Sequence, residues 1–240
     1  MPKSQVPPVA KKSVKSETKP RINYLFPAHQ HDVSPWRIFK IMAEFVNGFE
    51  FLRQFTRAVS FFGSARVGLE PRMYTEATKL ARMFADAGFA VVTGGGPGIM
   101  QAANKGAFEA GGRSIGLNIK LPFEQRTNKY VTDAESFEYF FSRKVMLSFA
   151  AHAYIFFPGG YGTLNEMFEM VELVQTKKIE PLPIVLVGRD FWTPLLDWLK
   201  TVVLDKTRGI EPEDLAIIHV ADNAEEAFRT VVRLIQPLKR

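Results

Sequence analysis

The chain has 240 residues, 46% of them hydrophobic, enough to build one α/β domain with a full core. It contains no cysteine, which excludes disulfide staples, thiolate metal sites and cysteine nucleophiles, and its four histidines show no trusted metal-ligand spacing. The net charge of +6 is concentrated at the start: residues 1–21 hold six cations against Glu17, a net +5, which leaves +1 for the rest of the chain.

That basic segment carries Pro2, Pro7, Pro8 and Pro20 and few large apolar residues, so residues 1–33 are expected to form a disordered tail before a single domain over 34–240. No apolar run suits a secretory signal or a membrane span, and a soluble, cytoplasmic protein is expected. Ser34 and Pro35 read as a helix start, with Trp36, Ile38, Phe39, Ile41, Met42, Phe45 and Phe49 at helical spacing. Strand and helix patterns then alternate. Strands are expected at 58–62, 89–93, 114–119, 153–157, 183–187 and 216–220. Helices are expected at 72–87, 99–109, 143–151, from the 158–163 turn to about 177, 191–204 and 224–235. The stretch 120–136 reads as an unusually long polar loop, and 137–141 as a strand or an extended approach to the next helix. This alternation predicts a Rossmann-like, doubly wound parallel sheet with helices on both faces, whose ligands bind at the carboxyl ends of the strands.

Three glycine turns leave strands there. Gly63-Ser64-Ala65-Arg66 offers a hydroxyl and a guanidinium to a phosphate or a sugar, or is an ordinary surface loop. Gly94 to Gly98 runs into a helix, where bare backbone N–H groups can meet an anion. Pro97 and Asn118 break the dinucleotide fingerprint, so a nicotinamide cofactor is not expected. Pro158-Gly159-Gly160-Tyr161-Gly162-Thr163-Leu164-Asn165-Glu166 repeats the strand, turn, helix arrangement. Thr163 and Glu166 fit a capping box as well as a catalytic carboxylate, and spacing alone leaves the two readings even. Arg143 and Lys144 at a helix start oppose its dipole and imply an anion: a ligand phosphate, a nearby carboxylate, or simple hydration of both side chains.

Gly94 to Met100, Arg143-Lys144 and the Pro158 to Glu166 nonapeptide together resemble the LOG (lonely guy) phosphoribohydrolases over about residues 55–235. The stretches Leu121 to Gln125 and Phe140 to Lys144 look like the bacterial branch. The resemblance implies hydrolysis of the N-glycosidic bond of a nucleoside 5′-monophosphate, AMP or an N6-modified AMP that gives a cytokinin, to free base and ribose 5-phosphate. It implies catalytic roles for Arg143 and Glu166. It implies a phosphate cradle of Gly159, Gly160, Gly162 and Thr163, and a pocket lined by Gly95, Gly96, Gly98 and Met100. Lys144 would support the site, and Ser64, Glu124 and Asn128 are further candidates. Asn165 stands where many relatives carry an acid, and it is given no catalytic role. Members have often been labelled lysine decarboxylases, which would require pyridoxal phosphate on a Schiff-base lysine; the sequence offers no support for one, and no cofactor or metal is expected.

The main rival is a non-catalytic nucleotide or molybdenum-cofactor carrier on the same fold, which needs an anion cradle but no acid beside the sugar. A nucleic-acid binder using the basic tail is a second rival, whose affinity would fall steeply with salt and vanish on deleting residues 1–30. The apolar helix over 36–55 and the resemblance together lead to the expectation of a homodimer.

Overall fold

The computed structural model describes residues 35–66, 71–120 and 127–235; the expected tail, Ser34, Glu124 and the Leu121 to Gln125 motif lie outside them. Helix α1 (Arg37–Leu52) precedes β1 (Ala58–Phe62), α2 (Pro71–Asp86), β2 (Ala90–Thr93), α3 (Ile99–Glu109) and β3 (Ser114–Ile119). There follow β4 (Asp133–Phe137), α4 (Phe140–Phe149), β5 (Tyr154–Phe156) and α5 (Tyr161–Gln175). The chain continues through β6 (Ile184–Val187), α6 (Arg189–Trp198), a π turn at Leu199–Leu204, a 3₁₀ turn at Pro212–Ile217, β7 (Ile218–Ala221) and α7 (Ala224–Ile235).

Among the described residues, seven strands pair in parallel in the order β4-β3-β2-β1-β5-β6-β7. The order runs outward from β1 to β4 and then returns to place β5 on the other side of β1. The switch point therefore lies between β1 and β5, where such sheets bind ligands. The central strands are short apolar runs because both faces are covered. Val59 and Phe61 of β1 pack toward α2, α3 and α7, while Ala58 and Phe62 pack with Met146 and Leu147 of α4, Met167 of α5 and Trp192 of α6.

Several expectations shift: the helix expected over 191–204 is α-helical from Arg189 to Trp198 and gives way to the π turn, and the strand expected at 216–220 starts at Ile218, after the 3₁₀ turn. β4 begins at Asp133, inside the stretch read as loop, because this edge strand alternates exposed and half-buried residues and has no apolar run to announce it. Helix α4 begins at Phe140, three residues earlier than expected, which places Arg143 and Lys144 a full turn inside it. The first helix has Trp36 at its N-cap with no side-chain capping bond. Among the described residues, no helix is long and apolar enough to cross a membrane.

Candidate active site

Backbone hydrogen bonds tie the three glycine turns together at the switch point. Ser64 N–H donates to the Pro158 carbonyl at 3.0 Å, and Ile99 N–H donates to the Ser64 carbonyl at 3.0 Å. The turn after β2 demands glycine at two positions. Gly95 and Gly98 have φ of +70° and +69°, and a Cβ at Gly98 would come within 2.2 Å of the Ser64 carbonyl oxygen. Beneath this turn lies a buried polar network. Asn104 accepts from the Thr93 hydroxyl at 2.7 Å and donates to the Ser114 hydroxyl at 2.8 Å, while the same Thr93 hydroxyl accepts Gly95 N–H at 2.9 Å. Asn128 closes the network by donating to the Gly96 carbonyl at 3.0 Å and to Asn104 Oδ1 at 2.9 Å. Asn128 thus clamps the turn from behind.

Over these turns opens a cleft of about 380 Å³. It brings together Ser64, Met100, Arg143, Lys144, Gly160, Gly162, Thr163 and Glu166 of the expected residues, with Arg66, Gly94, Phe140 and Asn165 beside them. Gly95, Gly96, Gly98 and Gly159 are not among its lining. Gly159 instead lets the chain pass close to Thr163, whose hydroxyl oxygen would stand 2.1 Å from an added Cβ. At Gly160 and Gly162 a Cβ would meet nothing within 4 Å, so their bare backbone faces open space.

The capping-box reading of Thr163 and Glu166 is corrected by the helix start. α5 has Gly160 as its N-cap, with no side-chain capping bond, so Thr163 sits at the third helical position and Glu166 nearly a turn further in. A capping box does form in this chain, at Glu211 and Asp214 before β7. Glu166 is left as a carboxyl facing the cleft, among charges. Burial pushes its pKa from 4.5 up to about 7; Lys144 and Arg143 oppose the rise, and the neighbouring Glu169 adds to it.

Arg143 is anchored by its Nε–H, which donates to the carbonyl of Leu117, in the second half of β3, at 2.9 Å. The missing side chain of Gly94 makes room for the guanidinium, since a Cβ there would lie 2.4 Å from Nη2. Burial lowers the Arg143 pKa and Glu166 opposes that shift. The Lys144 ammonium donates to Asn165 Oδ1 at 2.8 Å and stands 2.8 Å from Glu169 Oε2. That oxygen is buried and has no aligned hydrogen-bond partner among the described residues, so its contact with Lys144 is an ion pair without hydrogen-bond geometry. Glu169 was missed in the sequence, although its spacing of three from Glu166 puts both on one helix face.

The fold and cleft define a Rossmann-like α/β protein with a helix N-terminus, a buried guanidinium and a high-pKa carboxyl converging at the switch point. The chain belongs to the LOG family. The family model described as "Possible lysine decarboxylase" matches residues 100–231. Among curated proteins, the cytokinin riboside 5′-monophosphate phosphoribohydrolase LOG of Oryza sativa subsp. japonica is 30% identical over 177 residues, covering 72% of this chain and 71% of that protein. LOG7 of Arabidopsis thaliana, named for the same activity, is 28% identical over 179 residues, covering 73% and 81%. Solved structures of similar fold include the molybdenum cofactor carrier protein of Chlamydomonas reinhardtii, with TM-score 0.57, 22% identity and coverage of 75% of this chain and 98% of that one. The molybdenum cofactor binding protein of Rippkaea orientalis gives TM-score 0.56 and 21% identity over 75% of this chain and 96% of that one.

The decarboxylase description does not fit the cleft. A Schiff base needs a lysine amine free to attack a carbonyl, whereas Lys144, the lysine lining this cleft, is engaged by Asn165 and Glu169.

Proposed function

We propose that this protein is a cytoplasmic hydrolase that cleaves the N-glycosidic bond of nucleoside 5′-monophosphates, AMP or an N6-modified AMP, to free base and ribose 5-phosphate. The observation that carries this reading is the placement of Arg143 and Glu166 on one cleft with the N-terminus of α5. The 5′-phosphate sits on the backbone N–H groups of Gly160 and Gly162 and the Thr163 hydroxyl, where orphan donors and the helix dipole favour an anion. Gly159 shapes that cradle. Gly95, Gly96 and Gly98 hold the second turn, which presents Met100 to the nucleotide, and Ser64 reaches the same space.

With the phosphate so fixed, Glu166 meets the ribose. A carboxyl titrating near 7 is about half ionised at neutral pH, so it can accept a proton from water and then release it. In the reaction the C1′–N bond breaks with its electron pair going to the base nitrogen, which takes up a proton from solvent, while the water oxygen bonds C1′ and gives its proton to Glu166, which then releases it to solvent. Positive charge develops on the sugar as that bond breaks, and the Glu166 carboxylate stabilises it. Arg143 balances charge at the base or phosphate, and Lys144 holds Glu169 and so tunes Glu166.

Incubation of the purified full chain with AMP, GMP, CMP, UMP and isopentenyladenosine monophosphate, followed by chromatography of free base and ribose 5-phosphate, tests the proposal. Equal release of both products supports it and ranks the bases; tight nucleotide binding with no product moves the protein to the carrier reading. We also propose a homodimer, supported by the exposed Trp36, Phe39, Met42 and Val46 along α1; sedimentation equilibrium at a monomer mass would refute it.

A further inference from the structure

Helix α1 lies outside the residues matched by the family model, yet one of its side chains reaches the helix that carries Arg143 and Lys144. The start of α4 favours an anion: its N-cap Tyr139 makes no side-chain capping bond, its first turn has no acidic residue, and two cations, Arg143 and Lys144, follow just after that turn. Glu44 of α1 supplies the charge from outside. Its Oε1 accepts Glu138 N–H at 2.5 Å, and its Oε2 accepts Tyr139 N–H at 3.4 Å and the Ser142 hydroxyl.

The helices are locked together around this contact. One turn after Glu44, Gly48 is the buried residue of α1, and a Cβ there would lie 2.5 Å from Met146 Sδ. Next to it, the Phe49 ring packs edge-on against Phe149 at 5.6 Å. α1 therefore grips α4 at its start, middle and end.

We propose that Glu44 is a positioning residue of the cleft. By capping α4 it sets where that helix presents Arg143 and Lys144 to Glu166. Arg143 reaches its anchor through a single Nε–H bond to Leu117, so a small slide or fray of the first turn of α4 breaks the alignment. The kinetic consequence rests on the hydrolase reading; the structural consequence does not.

The test uses the full chain with E44A, E44Q and E44D, and E50Q on an exposed part of the same helix as control. The first readout is the ¹H–¹⁵N signal of Arg143 Nε–H, assigned by its loss in R143K. Its solvent exchange should accelerate about tenfold or more in E44A, and less in E44Q, whose amide oxygen still accepts Glu138 N–H. E50Q should leave it unchanged. The second readout is turnover of AMP: kcat should fall roughly 10-fold to 100-fold in E44A, the range expected when catalytic groups shift by up to an ångström. KM should stay within about threefold, and E44Q, which keeps an acceptor oxygen but loses the charge, should recover only part of the loss. Should E44A fail to fold, E44D, which keeps the charge but is one methylene shorter, must still perturb the Arg143 signal. An Arg143 signal identical to wild type in folded E44A or E44D overturns the proposal, whether or not the wild type hydrolyses AMP.

Discussion

Glu166 should cost the folded protein stability above neutral pH, and removing its charge should return it. In the unfolded chain a glutamate titrates near 4.5, whereas in the cleft burial raises Glu166 to about 7. Between those values the folded state binds more protons than the unfolded one, so stability falls as pH rises through this window. Below 4.5 both states are protonated and the penalty is absent; above 7 it is complete. The gap corresponds to about 3 kcal/mol. Glu166→Gln is neutral throughout, so its stability relative to wild type should rise from near zero at pH 4 to about 3 kcal/mol at pH 8. Urea unfolding of both proteins at pH 4, 6 and 8 measures this difference directly, provided the m-values agree. A difference that does not change with pH would refute the reasoning that burial holds this carboxyl high.

Three further outcomes follow from the same geometry. Gly98→Ala combines a positive φ with a 2.2 Å approach to the Ser64 carbonyl, and should destabilise the protein by about 1–3 kcal/mol in urea unfolding. Asn104→Ala removes the centre of a buried network and leaves the hydroxyls of Thr93 and Ser114 short of partners; a loss of at least about 2 kcal/mol is expected by the same measurement. Lys144 holds the Glu166 pKa down, so Lys144→Met should move the ionisation limb of the kcat/KM profile, measured from pH 5 to 9, to higher pH. An unmoved limb would show that Lys144 and Glu166 are not coupled.

Much of the sheet could be read from pattern alone, since β1, α3, β3 and α7 occupy the expected residues. Their signals are local: continuous apolar runs bounded by glycine, or strong helical spacing. What escaped depends on partners distant in sequence or on weak patterns. β4 is half exposed, so its residues from Asp133 to Ser136 look like loop. The start of α4 was misplaced because its capping carboxylate, Glu44, lies 95 residues before Tyr139. The anion implied by Arg143 and Lys144 was left open among three choices; within the chain, Glu44 stands at the helix start and Glu169 against Lys144. At Glu166 the residue spacing matched a capping box, and only the position of Gly160 as N-cap separates that pattern from a carboxyl on the cleft. Asn128, a candidate ligand contact in the sequence, is engaged with Gly96 and Asn104 behind the turn.

The measurement that bears most directly on the central claim compares wild type and Glu166→Gln in parallel. Binding of AMP is followed by calorimetry, and release of adenine and ribose 5-phosphate by chromatography. The account predicts that both proteins bind AMP, that the wild type releases the two products in equal amounts, and that the variant releases them at least about 10²-fold more slowly. Tight binding by both proteins with no product from either, or equal turnover by both, would contradict it.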